Sequence, residues 1–179
     1  MSKTVPDVIA SNLKVLFCGV NPGLYSAKVG HHFARPGNRF WQALFDGGFT
    51  PRLFSPFEEA ELLKYGYGIT NIVDRPSLGE ADLTNEEMIN GRKILEKKIL
   101  RFQPKVAAVV GINAYRRAFG CPKAQLGLQP EKIGKTLLWV LPNPSGLNAA
   151  YQKDQLAKLF SFLFVFVSQR LDEGDNGSD

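Results

Sequence analysis

Two short apolar segments of this chain end in the same kind of turn. Residues 13–17, which include Lys14, and residues 137–141 have the mainly apolar pattern of strands buried on both faces. The first leads into Gly19-Val20-Asn21-Pro22-Gly23-Leu24, and the second into Asn143-Pro144-Ser145-Gly146-Leu147. Because Gly and Pro do not continue a regular strand, the backbone must turn after each one. Parallel strands end at one edge of a sheet, so we expect the two Asn-Pro loops to face each other across a cleft.

The rest of the chain alternates between strand and helix patterns. We predict further strands over residues 68–73 and 106–110, helices over 38–46, 56–65, 84–102, 113–119 and 154–170, and loops over 25–37 and 121–134. This order is typical of a three-layer α/β/α sandwich with a short, mainly parallel central sheet. The length fits a single domain, which we assign to residues 1–171, followed by an acidic disordered tail over 172–179.

Charge and composition point to a soluble protein with a polyanionic partner. The net charge is +5, and four acidic residues lie in the last eight positions, so the preceding body is more basic than the whole chain. A basic body suits nucleic acid, although many mildly basic proteins do not bind it. The N-terminus has no secretory pattern, and the apolar run over 159–167 is too short for a membrane span. We therefore expect a cytoplasmic location and no membrane partner, with nucleoid association in a bacterial cell.

The two cysteines make neither a disulfide framework nor a zinc site. An iron–sulfur cluster usually takes four cysteine ligands, which argues against that cofactor. We predict Cys18 to be a small core residue, and we expect no metal and no cofactor.

Four ordered motifs resemble the mismatch-specific uracil/thymine DNA glycosylase family, a branch of the uracil-DNA glycosylase superfamily. The resemblance covers roughly residues 10–165. Residues 19–23 match the family's catalytic motif and residues 143–147 its DNA-wedge motif, while residues 33–41 and 68–76 match the segments between them. The resemblance implies an enzyme of base-excision repair that flips uracil out of a mismatch with guanine and hydrolyses its glycosidic bond. Thymine, ethenocytosine and deaminated purines stay open as further substrates.

The resemblance also implies a role for each matching residue. It makes Asn21 the catalytic residue that positions the attacking water, Phe33 the ring that stacks on the flipped base, and Leu147 the wedge that fills the gap in the duplex. The other base-pocket positions are Val20, Gly23, Ser26 and Asn71, and the other DNA-contacting positions are Asn143, Ser145, Gly146 and Asn148. The expected partners are double-stranded DNA with mismatched or damaged bases and the downstream enzymes that repair abasic sites. We expect a monomer.

The residues themselves allow chemistry without a strong acid. Most sugar hydrolases use two carboxylates, but neither Asn-Pro loop contains one. Uracil can depart as a delocalised anion, so a positioned water and fixed dipoles suffice, and we expect slow turnover. No Lys lies in a motif, so we expect no lyase step.

Each assignment has a structural alternative. Asn21 fits a turn that only bonds its own backbone, Leu147 a core anchor of its loop, and Phe33 a lid or core residue. We interpret His31 and His32 as loop residues rather than catalysts. As plausible phosphate contacts we name Arg35, Arg39 and Arg75.

Asn148-Ala149 departs from the family pattern, which often has Ser and a basic residue there. This departure leaves the selectivity for the opposite base and the affinity for the product open. Two other functions also stay open. One is a lesion-binding protein without catalysis, and the other is a nucleotide-binding α/β enzyme, which is disfavoured because no G-x-G-x-x-G or Walker pattern occurs.

Overall fold

A computed structural model describes residues 4–175 and confirms the predicted α/β fold. The strands are β1 (Val15–Gly19), β2 (Tyr67–Asn71), β3 (Val106–Val110), β4 (Gly127–Ile133) and β5 (Thr136–Leu141). The helices are α1 (Leu24–Val29), α2 (Phe40–Asp46), α3 (Asn85–Phe102), α4 (Ile112–Phe119) and α5 (Lys153–Asp175), with 3₁₀ segments at Pro56–Tyr65 and Glu80–Asp82.

The five strands form one sheet in the order β2-β1-β3-β5-β4. All neighbouring pairs are parallel except β4 and β5, which pair antiparallel. The four parallel strands therefore end at one edge of the sheet. Gly19, at the end of β1, lies in register with Asn71 at the end of β2. The loops that leave this edge carry both Asn-Pro motifs.

Alternating side chains of β1 divide the core into two layers. Phe17 packs on one side with Phe40 of α2 and Phe160 of α5, which are all fully buried. Leu16 and Cys18 pack on the other side with α3 and α4. Burial raises the pKa of the Cys18 thiol to about 12, so this residue is the inert core cysteine that the sequence predicts.

Two segments predicted to be loops contain regular structure. Residues 25–37 were expected to be a long loop, but α1 occupies Leu24–Val29 and ends at Gly30 in the left-handed conformation. Its six residues are too few to show a clear helical period. Residues 121–134 contain β4, which has polar residues and Pro130. Such a strand is hard to recognise from sequence, because a proline normally argues against a strand. It is tolerated here because β4 lies at the edge of the sheet.

The last helix is longer than predicted. α5 continues through residue 172 to Asp175, four residues into the segment that we expected to be disordered, and residues 176–179 lie outside the described part. Phe162 and Val165, on its outer face, are exposed. Within residues 4–175, no helix has the length and apolar character needed to cross a membrane, and no group of three or more His, Cys, Asp or Glu side chains is arranged to hold a metal ion.

Candidate active site

The amide of Asn21 is held in one orientation at the carboxyl end of β1. Its Nδ2 donates to the backbone oxygen of Arg75 and to Ser77 Oγ, both at 2.8 Å. The Arg75 carbonyl can only accept, so the NH₂ group must face it and the amide cannot be reversed. Within residues 4–175, Asn21 Oδ1 has no hydrogen-bond partner. The carbonyl oxygen is thus free to accept a hydrogen bond from water.

The segment that orients Asn21 is itself fixed. Ser77 donates from its backbone N–H to the Pro22 oxygen at 3.1 Å and from its hydroxyl to the Gly79 oxygen at 2.7 Å. The Arg75 guanidinium binds Glu87 at 2.6 and 3.1 Å, and this pairing lowers the pKa of Glu87 to about 2. Arg75 is therefore paired within the protein, and its predicted phosphate contact stays a prediction.

Three residues form one wall of a pocket beside Asn21. The Phe33 ring stacks on Phe40 with a centroid distance of 4.1 Å, and its other side borders the pocket. A Cβ at Gly19 would lie 2.5 Å from Asn71 Oδ1 and 3.2 Å from Phe33 Cζ, so the wall closes only with glycine at position 19. The buried Asn71 amide makes no hydrogen bond to any described residue, which leaves its polar atoms available to a base.

Phe33 is held in an unusual backbone conformation. Its φ of 52° lies in the left-handed region, which is rare for an aromatic residue and is often found at functional sites. The buried Ser26 hydroxyl accepts from the backbone N–H of Ala34 at 3.0 Å and so fixes the residue that follows. Ser26 therefore shapes the pocket as well as lining it.

His32 lies behind Phe33 and was not expected in the site. It is 2% exposed, and its Nδ1 and backbone N–H approach the same oxygen of Glu59 at 3.0 and 2.8 Å. His31 Nδ1 lies 3.0 Å from the other oxygen. Burial acts to raise the pKa of Glu59, but the bonds from His32 outweigh it and the pKa is lowered. His32 lines the pocket, and its Nε2 is buried without a partner among the described residues.

The second Asn-Pro loop, residues 143–148, forms the opposite side of the pocket, and we call it the wedge loop. Asn143 Oδ1 accepts from the Ser145 backbone at 2.9 Å, and Asn148 Nδ2 donates to the Asn143 oxygen at 3.0 Å. These bonds hold the loop in a compact turn with Leu147 at its tip, where the side chain is 76% exposed to solvent. The alternative that Leu147 is a core anchor is therefore wrong.

Arg39 fastens the wedge loop to the rest of the domain. Its guanidinium donates to the backbone oxygens of Ser145, Asn148 and Tyr151 at 3.0, 2.9 and 2.5 Å. Its backbone N–H donates to the Pro144 oxygen at 2.9 Å. The Arg39 side chain is half-buried and bonded within the protein, and its predicted phosphate contact stays a prediction. Of the three arginines, Arg35 remains exposed at the pocket rim.

The resulting pocket has a volume of about 210 Å³. This is below the usual range for drug-sized ligands and suits a single base. The predicted residues that line it are Val20, Asn21, Gly23, Ser26, Phe33, Asn71, Asn143, Ser145 and Leu147; Gly146 and Asn148 belong to the wedge loop but do not line it. Sequence reasoning missed His32, Asn38 and Ser77, which also line it. No local pattern marks Ser77, which meets Asn21 across 56 residues of chain.

Of the described residues that line the pocket, Glu80 is the only carboxylate. Burial raises its pKa, although Arg117, whose Nη1 lies 3.6 Å away, acts in the opposite direction. Glu80 lies in the 3₁₀ segment that follows Ser77 and makes no bond to Asn21. The fixed polar group at the end of β1 is therefore an amide rather than a carboxylate.

Known families and solved structures show similarity over most of the chain. The sequence profile of the uracil DNA glycosylase superfamily matches residues 6–164. Among solved structures, a solution NMR structure described as a putative uracil DNA glycosylase from Methanosarcina acetivorans has a TM-score of 0.58. It is 17% identical, and the match covers 91% of this chain and 98% of that chain. At this identity the structural likeness establishes the fold alone. Because the superfamily profile covers most of its length, the chain belongs to the uracil DNA glycosylase superfamily.

Proposed function

We propose that the protein is a monofunctional DNA glycosylase that removes uracil from mismatches with guanine in double-stranded DNA. Superfamily membership supports a glycosylase-like activity and DNA as the partner. The observation that carries the finer proposal is the fixed Asn21 amide, whose free carbonyl oxygen lies in a base-sized pocket below an exposed leucine.

In this proposal, base flipping and wedge insertion occur together. Extruding a base costs a few kcal/mol, and the cost is least at a mismatch. Leu147 fills the gap in the base stack, because its exposed side chain has no core contacts to give up. The flipped base stacks on Phe33, a contact worth roughly 1–3 kcal/mol per base. These gains offset the cost of extrusion.

Bond cleavage then depends on water and on the stability of the leaving base. Asn21 Oδ1 accepts a hydrogen bond from the water and aims the water oxygen at the anomeric carbon. The C–N bond breaks, uracil leaves as an anion with the bonding electrons, and the water oxygen bonds the anomeric carbon. The proton that the water loses passes through solvent to the uracil anion. Asn71 faces the base and is placed to bond its polar edge. No carboxylate activates the water, so the chemical step is slow. The products are the free base and an abasic site.

A single-turnover assay tests this proposal. The substrate is a labelled duplex with one G·U pair, and alkali breaks any abasic site that forms. We expect cleavage by the wild type and a loss of at least a hundredfold in the cleavage rate for Asn21→Ala, with duplex binding retained. Equal cleavage by both proteins would remove Asn21 from the mechanism.

The lesion-binding alternative has one structural argument in its favour, which is that no carboxylate among the described residues is hydrogen-bonded to the Asn21 amide. It predicts tight binding of the mismatched duplex without cleavage by either protein. The same assay, with a binding titration on the same duplex, distinguishes the two functions.

A further inference from the structure

A second concave surface lies at the opposite end of the sheet from the proposed active site. It is formed where β3 and β5 begin, between the end of α3 and the last turns of α5, and has a volume of about 530 Å³. We call it the basic groove. Because the parallel strands end at the far edge, this surface lies away from Asn21 and the wedge loop.

Four cationic side chains surround the groove. Lys105, Lys132, Lys135 and Arg170 line it, and none of them forms a salt bridge within the described residues. No acidic residue lines it. Four unpaired cations around one cavity create a local positive potential that attracts anionic groups.

The groove also has an apolar floor. Leu100 is 54% exposed and packs close to the turn at Gly134. The partly buried side chains of Leu137 and Phe166 form the rest of the floor. Arg170 lies over the Phe166 ring at 5.2 Å. An occupant therefore gains from placing apolar side chains on the floor and negative charges at the rim.

From this combination we infer that the basic groove binds a short segment of a partner protein in which acidic residues flank one or two large apolar side chains. DNA fits less well, since its phosphates match the rim but leave the apolar floor uncovered. The volume is in the range that holds a few side chains and not a folded domain. The inference does not depend on the activity proposed above.

Fluorescence anisotropy with a labelled peptide tests the inference. The probe is a nonapeptide of aspartate and glutamate around a central leucine–phenylalanine pair, and the comparison peptide has serines in place of that pair. We expect the probe to bind with micromolar affinity and the serine peptide at least tenfold more weakly. Failure of the probe to bind would overturn the inference.

Variants then locate the binding surface. We expect the double variant Lys105→Glu, Lys135→Glu and the single variant Leu100→Ser each to weaken probe binding at least tenfold. The matched control is Lys123→Glu, which changes an exposed lysine outside the groove and should bind the probe as the wild type does. Circular dichroism verifies that each variant is folded. Equal weakening by Lys123→Glu, or displacement of the probe by an undamaged DNA duplex, would show general charge attraction or a nucleic-acid surface instead.

Discussion

The side-chain amide of Asn21 donates to Ser77 Oγ at 2.8 Å, across 56 residues of sequence. Ser77 Oγ in turn donates to the Gly79 oxygen at 2.7 Å, so the hydroxyl is used as both acceptor and donor. The hydroxyl thereby holds the direction of the amide, and we propose that Ser77 positions Asn21 for the reaction.

Replacing Ser77 with alanine should slow base removal without weakening DNA binding. One bond to the Asn21 amide is lost, while the Arg75 oxygen still accepts the other. A net hydrogen bond is worth about 1 kcal/mol, so we expect the single-turnover rate on a G·U duplex to fall about five- to tenfold. Ser168→Ala, on α5, removes a hydroxyl that bonds only its own helix and should leave the rate unchanged. An equal loss of DNA affinity in Ser77→Ala would mean that Ser77 contacts DNA instead.

Replacing Gly19 with alanine should alter the pocket more than the fold. The new Cβ would lie 2.5 Å from Asn71 Oδ1, so that side chain must rotate away. The atom that moves is the end of a side chain and not backbone, and we expect the melting temperature to change by only a few degrees. We expect kcat/KM on G·U duplexes to fall at least tenfold. Gly174→Ala, where an added Cβ meets nothing within 4 Å, is the control for the substitution itself.

The two Asn-Pro loops could be predicted from sequence because each depends on adjacent residues. An apolar run followed by Gly and Pro fixes where a strand ends, and parallel strand ends share an edge. The sheet and the grouping of Asn21 with the wedge loop follow from these facts. The edge strand β4 could not be predicted in this way, because its mostly polar sequence shows no regular alternation of apolar and polar residues.

The partners of the charged side chains also could not be predicted. Nothing in the neighbouring sequence of Arg35, Arg39 and Arg75 shows that Arg39 and Arg75 bond within the protein while Arg35 is exposed at the pocket rim. Arg39 meets carbonyls more than 100 residues away, and Arg75 meets Glu87 in the first turn of α3. His32 is buried against Glu59 for the same reason, since a contact across 27 residues leaves no mark on local sequence.

Replacing Arg39 with lysine should loosen the wedge loop even though the charge is kept. The guanidinium reaches three carbonyls with two nitrogens, and an ammonium group cannot reproduce that forked geometry. We expect faster amide hydrogen exchange across residues 145–151 and at least fivefold weaker binding of mismatched duplex. The control is Arg35→Lys, which keeps an exposed charge and should leave hydrogen exchange in the loop unchanged. Unaltered exchange in Arg39→Lys would contradict this role.

Glu59→Gln should reduce stability in a pH-dependent way. The folded pKa of Glu59 is below its usual value of 4.5, so its carboxylate contributes fully above pH 4.5 and progressively less as the pH falls through the folded pKa. We expect a loss of about 1–3 kcal/mol in urea unfolding at pH 7, because hydrogen bonds to a buried charge are lost. This difference should shrink as the pH falls below 4.5 and through the lowered folded pKa.

Glu61→Gln is the matched control for Glu59. Glu61 pairs with Lys64 on the exposed side of the same 3₁₀ segment, and a surface pair of this kind is worth about 0–1 kcal/mol. If Glu59→Gln lowers the free energy of unfolding by the same amount at pH 7 and well below pH 4.5, the stabilisation comes from packing and not from charge.

Leu147→Ala should separate DNA recognition from folding. The side chain is 76% exposed, so its removal leaves no cavity, and we expect the melting temperature to stay within about 1 °C. With 2-aminopurine placed beside the uracil, the rise in fluorescence that reports flipping should be at least fivefold smaller than in the wild type. Leu128→Ala, which truncates a leucine that is 45% exposed on β4, should flip the base normally. Normal flipping by Leu147→Ala would show that the wedge loop acts through its backbone, with the exposed leucine playing no part in opening the duplex.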